Sequence, residues 1–312
     1  MPVTQEIAWP QKTREMHNQH IDSTIWNDFK FRNDDIIIST YAKSGTTWMQ
    51  QIIAQMLFDA DTEMEVHSMS PWIDFRVPPK EVKLPMVEAQ THRRFVKTHL
   101  PVDALVYSPH AKYIYIGRDG RDVVWSLYNH HKNGAPAMYD ALNNSPGRVG
   151  PPLEPPPDDI RQYFRDWLER DGYPYWSFWD NLRTWWEIRK LPNILMVHFD
   201  VLKRRMPEEM RRIAEFLDMK INEHNWDLMV EHCTFDWMKE HGDNSVPMRG
   251  AMWVGGSKTF INKGTNGRWQ GVCSDADLAA YKARVAAEFT PALAAWLEGG
   301  RLVAGEPTGA AD

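Results

Sequence analysis

The stretch from Ile36 to Phe58, IIISTYAKSGTTWMQQIIAQMLF, limits most strongly what this chain can fold into. Ile36, Ile37 and Ile38 form a β-branched run of the kind found in buried parallel strands. The run breaks into a small-residue turn, Ala42-Lys43-Ser44-Gly45-Thr46-Thr47, and Met49, Ile52, Ile53, Met56 and Leu57 follow at helical spacing. A strand, a tight turn and a helix in that order aim backbone N–H groups and the positive helix end at one point, a geometry suited to phosphate or sulfate. Lys43 adds a full charge there, although an ordinary strand–turn–helix corner with a solvated lysine would use the same residues. The nucleoside-triphosphate loop G-x-x-x-x-G-K-[ST] does not fit, because the lysine precedes the lone glycine.

Other strand ends bring chemistry to the same place. Arg94 to Lys97 reads as a second strand running into Lys97-Thr98-His99-Leu100-Pro101, and Lys112 to Ile116 as a third, opening into Gly117-Arg118-Asp119-Gly120 and a helix that carries Ser126. In an open parallel sheet, ligands sit at the carboxyl ends of the strands, so Lys43, Lys97, His99 and Arg118 fall together. Arginine offers a bidentate fork for phosphate and serine a hydroxyl donor, although an Arg-Asp pair at a helix start also serves as a capping salt bridge. Further on, Asn262-Lys263-Gly264 supplies another lysine beside a glycine. These corners imply two anionic sites. Lys43, the Ser44 to Thr47 turn and Lys97 would surround a phosphate bearing the reacting group, and Arg118, Ser126, Lys263 and Gly264 a second phosphate. Trp48 and Phe235 offer flat faces for a base between them.

Composition limits the alternatives. The formal net charge of −6, from 36 basic and 42 acidic residues, argues against a general nucleic-acid binder and confines any anion site to a local pocket. Two cysteines, Cys233 and Cys273, are too few and too far apart for a disulfide framework or a metal cage, and they fit a reducing cytosol. No apolar signal core or membrane-length run is present, so the expectation is a soluble cytoplasmic protein with no membrane partner. No clustered His/Cys/Asp/Glu set has metal-ligand spacing. Fifteen tryptophans point to an aromatic interior or an aromatic-lined pocket, and the Trp179, Trp185, Trp186 stripe reads as core.

The expected architecture is α/β: 1–312 as a single domain with a central parallel β-sheet flanked by helices. Residues 1–33 read as a lead-in whose Ile21, Ile25, Trp26 and Phe29 make one apolar face, 66–84 as an irregular surface segment, and 299–312 as a flexible tail. The Pro/Gly/Asn-rich stretch 133–159 is too long for an ordinary connection and is expected to be a mobile lid loop.

The order Lys-Ser-Gly-Thr-Thr-Trp at 43–48 and the run KTHLP at 97–101 resemble the cytosolic sulfotransferases, and the resemblance extends from about Asp34 to Trp269. It implies 3′-phosphoadenosine 5′-phosphosulfate (PAPS) as donor, adenosine 3′,5′-bisphosphate as product, no metal, and a small-molecule acceptor presenting a hydroxyl or amine. It also implies His99 as catalytic base, Lys43 and Lys97 stabilising the departing phosphate, Ser44 to Thr47 cradling the 5′-phosphate, and Arg118 with Ser126 at the 3′-phosphate. Three departures stand out. Asn262-Lys263-Gly264 replaces the family's Arg-Lys-Gly, with Arg268 a candidate to restore the charge. His198 aligns with the family's adenine-contacting tyrosine, and the C-terminal Lys-Thr-Val-Glu dimer motif of the animal enzymes is absent, so any homodimer would use another surface. Trp72, Phe75 and Tyr139 are candidates to wall an acceptor pocket for a flat or apolar alcohol or phenol. Two other readings compete. An ATP phosphotransferase lacks its Gly-Lys, and a homologue that binds nucleotide without catalysis must explain why His99, Lys43 and Lys97 are all present.

Overall fold

The structure, a computed structural model, describes residues 7–309. Four parallel strands, β1 (Ile36–Thr40), β2 (Phe95–Thr98), β3 (Lys112–Gly117) and β4 (Ile194–His198), pair in the order β2-β1-β3-β4. Alternation along each strand divides the side chains between two buried faces. Ile37, Val96, Tyr113 and Tyr115 join the tryptophan-rich core on one face. Ile36, Ile38, Phe95, Ile114 and Ile116 pack on the other against Met49, Ile52 and Ile53 of helix α1 (Thr46–Leu57). Both faces are covered, which is why nearly every strand residue is buried rather than every other one. Trp167, Trp179 and Trp185 are almost wholly buried, as the core reading of the tryptophan stripe requires.

Register brings the chemistry to one edge. Ser39 pairs with Thr98, Thr40 with Ile116, and Gly117 with His198, so the loops after all four strands open on the same side. The chain runs from β1 to β2 on one flank and then to β3 on the other, placing a topological switch point between the loop after β1 and Arg118 after β3.

Three stretches are more ordered than expected. Segment 66–84 holds helices at Val66–Met69 and Lys80–Glu88, and between them the chain extends β2, with Lys97 N–H donating to Pro71 O (3.0 Å) and Ile73 N–H to Lys97 O (3.0 Å). Its prolines hid this order, because residues lining a sheet edge need no internal periodicity. Within 133–159, Pro136–Asn144 is a helix with Pro136 in its first turn, and Met138 and Leu142 pack with Leu153 and Trp253. The buried Arg76 guanidinium holds the end of that helix through the carbonyls of Leu142, Ser145 and Pro146. The expected tail is docked as far as it is described: Arg301–Ala304 is helical, Arg301 binds Glu209, and Arg189 Nε donates to Pro307 O (2.9 Å). The outermost parts of the lead-in and tail, 1–6 and 310–312, lie outside the described residues.

Candidate active site

The turn after β1 is shaped by two residues in the left-handed region, Lys43 (φ 65°) and Gly45 (φ 112°). A non-glycine residue there is uncommon and marks local strain. A Cβ on Gly45 would lie 2.9 Å from Phe199 Cδ2, so both backbone conformation and space require glycine. The N–H groups of Gly45, Thr46, Thr47 and Trp48 open α1 without an intramolecular acceptor among the described residues. Ser44 Oγ is buried and unpartnered beside them. Donors left unsatisfied around a lysine form an anion cradle.

Lys43 Nζ sits 4.1 Å above the Phe260 ring and donates to His130 Nδ1 (3.3 Å). Burial, then the nearby Arg118 and Lys97 charges, pull its ammonium down to about 7. Lys97 donates to Gln50 Oε1 (3.3 Å), and burial lowers it to about 8. Both lysines lack an anionic partner within hydrogen-bonding distance, and an anion between them would relieve the repulsion.

His99 is held on every side. Its Nδ1 lies 2.8 Å from Thr40 O, which can only accept, so Nδ1 carries the proton and Nε2 keeps its lone pair. Its backbone N–H donates to Asp74 Oδ2 (3.2 Å), and its carbonyl accepts from Asn181 Nδ2 (3.0 Å). The ring meets Trp72 edge-on at 4.6 Å. Burial, then the Lys97 and Lys43 charges, push the imidazole down to about 3, partly opposed by Thr40 O. His99 is therefore neutral across the physiological range, and the near-neutral value expected of a poised base is not what this pocket sets before an anion offsets the lysines.

The second corner forms around Arg118, whose Nη1 donates to Lys43 O (3.0 Å), whose Nη2 donates to Asn266 Oδ1 (2.8 Å), and whose buried Nε has no partner. Lys239 and Lys203 tie down this loop through the carbonyls of Asn262 and Gly264. Gly264 presses on Phe235: a Cβ there would lie 2.5 Å from Phe235 Cδ2, at φ 59°. Burial lowers Arg118, and the charge of the half-buried Arg268 adds to this against the opposing Asp122.

One cavity of about 580 Å³ gathers these parts. Lys43, Gly45, Thr46, Thr47, Trp48, Lys97, His99, Arg118, Ser126, Phe235, Asn262, Lys263, Gly264 and Arg268 all line it, whereas Ser44 of the same turn is buried and does not. Trp72 and Phe75, stacked at 4.6 Å, line it too. His198 does not. It is 3% exposed, its Nε2 donates to Leu297 O (2.9 Å), its Nδ1 accepts from Asp200 N–H (3.3 Å), and Trp296 lies against its ring. The Pro291–Gly299 helix covers it, so both ring nitrogens serve the fold rather than a base. Tyr139 is likewise turned away, donating to His131 O (2.7 Å), while Met138 and Leu142 of the same helix face the cavity. Sequence reasoning missed His130 and Asp74. His130 was visible only as the residue one helical turn after Ser126, and Asp74, accepting from Trp26, Trp72 and His99, left no local signal.

An anion cradle with lysines at a parallel-sheet edge, opening into an aromatic chamber with an oriented neutral imidazole, defines a group-transfer enzyme for an anionic donor. Residues 33–288 match the sulfotransferase domain, and the chain belongs to that family. The enzyme is thus a sulfotransferase. It is 29% identical over 303 residues to a glycolipid sulfotransferase of Mycobacterium bovis (strain BCG / Pasteur 1173P2), covering 90% of this chain and 92% of the relative. Sulfotransferase 1B1 of Mus musculus is 30% identical over 252 residues, covering 78% of each chain. The fold matches solved structures of retinol dehydratase in complex with androsterone and the inactive cofactor PAP (TM-score 0.66, 21% identity, 86% of this chain and 84% of that one) and of mouse sulfotransferase SULT7A1 complexed with PAP (TM-score 0.66, 19% identity, 86% and 88%).

Proposed function

We propose that this enzyme moves the sulfuryl group of PAPS to a hydroxyl of a small apolar or aromatic acceptor. The observation that carries the reading is the convergence, in one cavity, of a loop with unsatisfied N–H groups and an orphaned Ser44 hydroxyl, two lysines without counter-ions, and the free Nε2 of His99. PAP in the solved relatives supports the choice of donor. The residues fit such a group: an anion satisfies Ser44 Oγ and Arg118 Nε, which otherwise remain buried without partners.

The phosphosulfate supplies an activated sulfuryl group. The loop amides from Gly45 to Trp48 and Ser44 Oγ hold its 5′-phosphate end. Arg118, Ser126 and Lys263 hold the 3′-phosphate, and Arg268, facing the same cavity, supplies the charge that Asn262 lacks. Trp48 and Phe235 flank the base, a task in which His198 takes no part. Trp72 and Phe75 seat the acceptor against His99. The imidazole takes the hydroxyl proton on Nε2 while Nδ1–H remains on Thr40 O, which stabilises the growing imidazolium. Lys43 and Lys97 set positive charge where negative charge develops on the departing phosphate, so fixed electrostatics and positioning supply most of the rate. A cytoplasmic setting belongs to the same proposal and is supported by the unpaired Cys233 and Cys273.

Differential thermal stabilisation tests the donor. Adenosine 3′,5′-bisphosphate is expected to raise Tm by several degrees without metal, and ATP with magnesium is not. The reverse pattern overturns the reading.

A further inference from the structure

The acceptor end of the cavity contains a charge that the transfer step does not use. Lys83, on the Lys80–Glu88 helix, is 5% exposed and forms part of the cavity wall with Met86 and Val87 of the same helix. Its ammonium donates to the carbonyls of Ile73 (3.0 Å) and Phe75. Three protons meet two acceptors, and the third has none among the described residues. A path of contacts links it to the base: His99 meets Trp72 edge-on at 4.6 Å, Trp72 stacks on Phe75 at 4.6 Å, and Lys83 holds the Phe75 carbonyl. Trp72 and Phe75 therefore link the proton acceptor to a buried cation.

The rest of the wall adds to this. Lysines and arginines line the cavity, and among the described residues lining it there is no aspartate or glutamate. Asp74 and Asp22, neither of which lines the cavity, partly offset the burial that lowers Lys83 to about 8. Asp74 is already committed to two indole N–H groups and the His99 amide. An ammonium on an acceptor would enter a field of like charge with no counter-ion, whereas an anionic or carbonyl oxygen would meet a donor with a proton to give.

We propose that the acceptor is a hydroxyl compound whose far end carries an oxygen acceptor, a carboxylate above all, received by Lys83, and that amine-bearing compounds are rejected. The proposal rests on the sulfotransferase reading of the cavity. It assigns Lys83 to acceptor selection and gives it no part in the transfer step.

Calorimetric binding of three matched phenol series to the ligand-free enzyme tests it. The series are ω-(4-hydroxyphenyl)alkanoates, the 4-alkylphenols and the ω-(4-hydroxyphenyl)alkylamines, each stepped through chain length. At the best length the carboxylate is expected to bind about tenfold or more tighter than the alkyl member at pH 6.5, and the amine more weakly than both. In Lys83→Met the carboxylate-to-alkyl affinity ratio falls to near one, and in Lys83→Arg it is retained. The wild-type enzyme provides a second arm if the variants do not fold: the carboxylate advantage appears only at chain lengths that reach Lys83 and declines there from pH 6.5 to 9.5, whereas members too short to reach it show none although Lys43 and Lys97 titrate over the same range. Equal affinities at every chain length, a carboxylate advantage that survives Lys83→Met, or amines bound as tightly as carboxylates would overturn the inference. These readouts need no donor, so they fail independently of the bisphosphate test above.

Discussion

Binding of adenosine 3′,5′-bisphosphate should draw protons out of solution at alkaline pH. In the ligand-free enzyme Lys43 is held at about 7, by burial first and then by Arg118 and Lys97, and Lys97 is held at about 8 by burial. At pH 8.5 these values leave Lys43 about 3% and Lys97 about 24% protonated. An anion seated between them favours the charged forms and returns both toward the ordinary lysine range, near 10.5. Uptake at pH 8.5 is then roughly 1.7 protons per bisphosphate. At pH 6.5 the lysines take up only roughly 0.3 and the ligand's own phosphates, with second pKa values of about 6, release a comparable amount, leaving a net change near zero. The sign follows from the shifts: both lysines are depressed in the free enzyme, so the bound state holds more protons and affinity falls as pH climbs above about 7. Titration calorimetry in two buffers of different ionisation enthalpy at each pH gives uptake directly from the change in observed heat. Lys43→Met should remove about one proton of the uptake at pH 8.5. Uptake near zero at pH 8.5, or affinity that strengthens from pH 7 to 9, would refute the placement of the two lysines around the bound phosphate.

Other substitutions test separate parts of the site. Gly45→Ala introduces a Cβ 2.9 Å from Phe199 Cδ2 at φ 112°, and should cost about 1–3 kcal/mol of stability, read in urea, together with at least tenfold in bisphosphate affinity. His198→Ala should destabilise by about 1–3 kcal/mol, because Leu297 O and Asp200 N–H lose their partner, while the bisphosphate Kd stays within about twofold. A much larger loss of affinity would return His198 to the base site. His130→Phe removes the acceptor on which Lys43 rests, so the pH at which half the proton uptake appears should move down and kcat should fall more than KM rises.

The sequence made the sheet edge legible and left its depth hidden. Ile36 to Thr47 could be read because a β-branched run, a left-handed glycine and an apolar helix face are all local. Lys97 could be placed because it lies near the end of β2, and His99 and Arg118 because each follows a strand, since parallel register carries strand ends to one side. His198 also ends a strand, yet the Pro291–Gly299 helix, almost a hundred residues later, decides that it faces Trp296 rather than the cavity. The same limit applies to Tyr139: the helix at Pro136–Asn144 turns Met138 and Leu142 inward and sends the phenol to His131 O. Asp74 and Lys83 sat in a proline-rich stretch that gave no periodic signal: Asp74 meets the His99 amide because residues 71–73 pair with β2, and Lys83 reaches the carbonyls of Ile73 and Phe75 from the helix that follows. The value of about 3 for His99 was equally out of reach, because it comes from burial first and then from Lys97 in β2 and Lys43 in the loop after β1.

On the proposed mechanism His99 accepts the acceptor's proton within a donor site built by other residues. The most direct test is single-turnover transfer from labelled PAPS to a 4-alkylphenol by His99→Ala, with bisphosphate binding measured on the same preparation. Transfer is predicted to fall by at least about a hundredfold while the bisphosphate Kd stays within about twofold. Transfer within about tenfold of the wild-type rate, with binding intact, would contradict it.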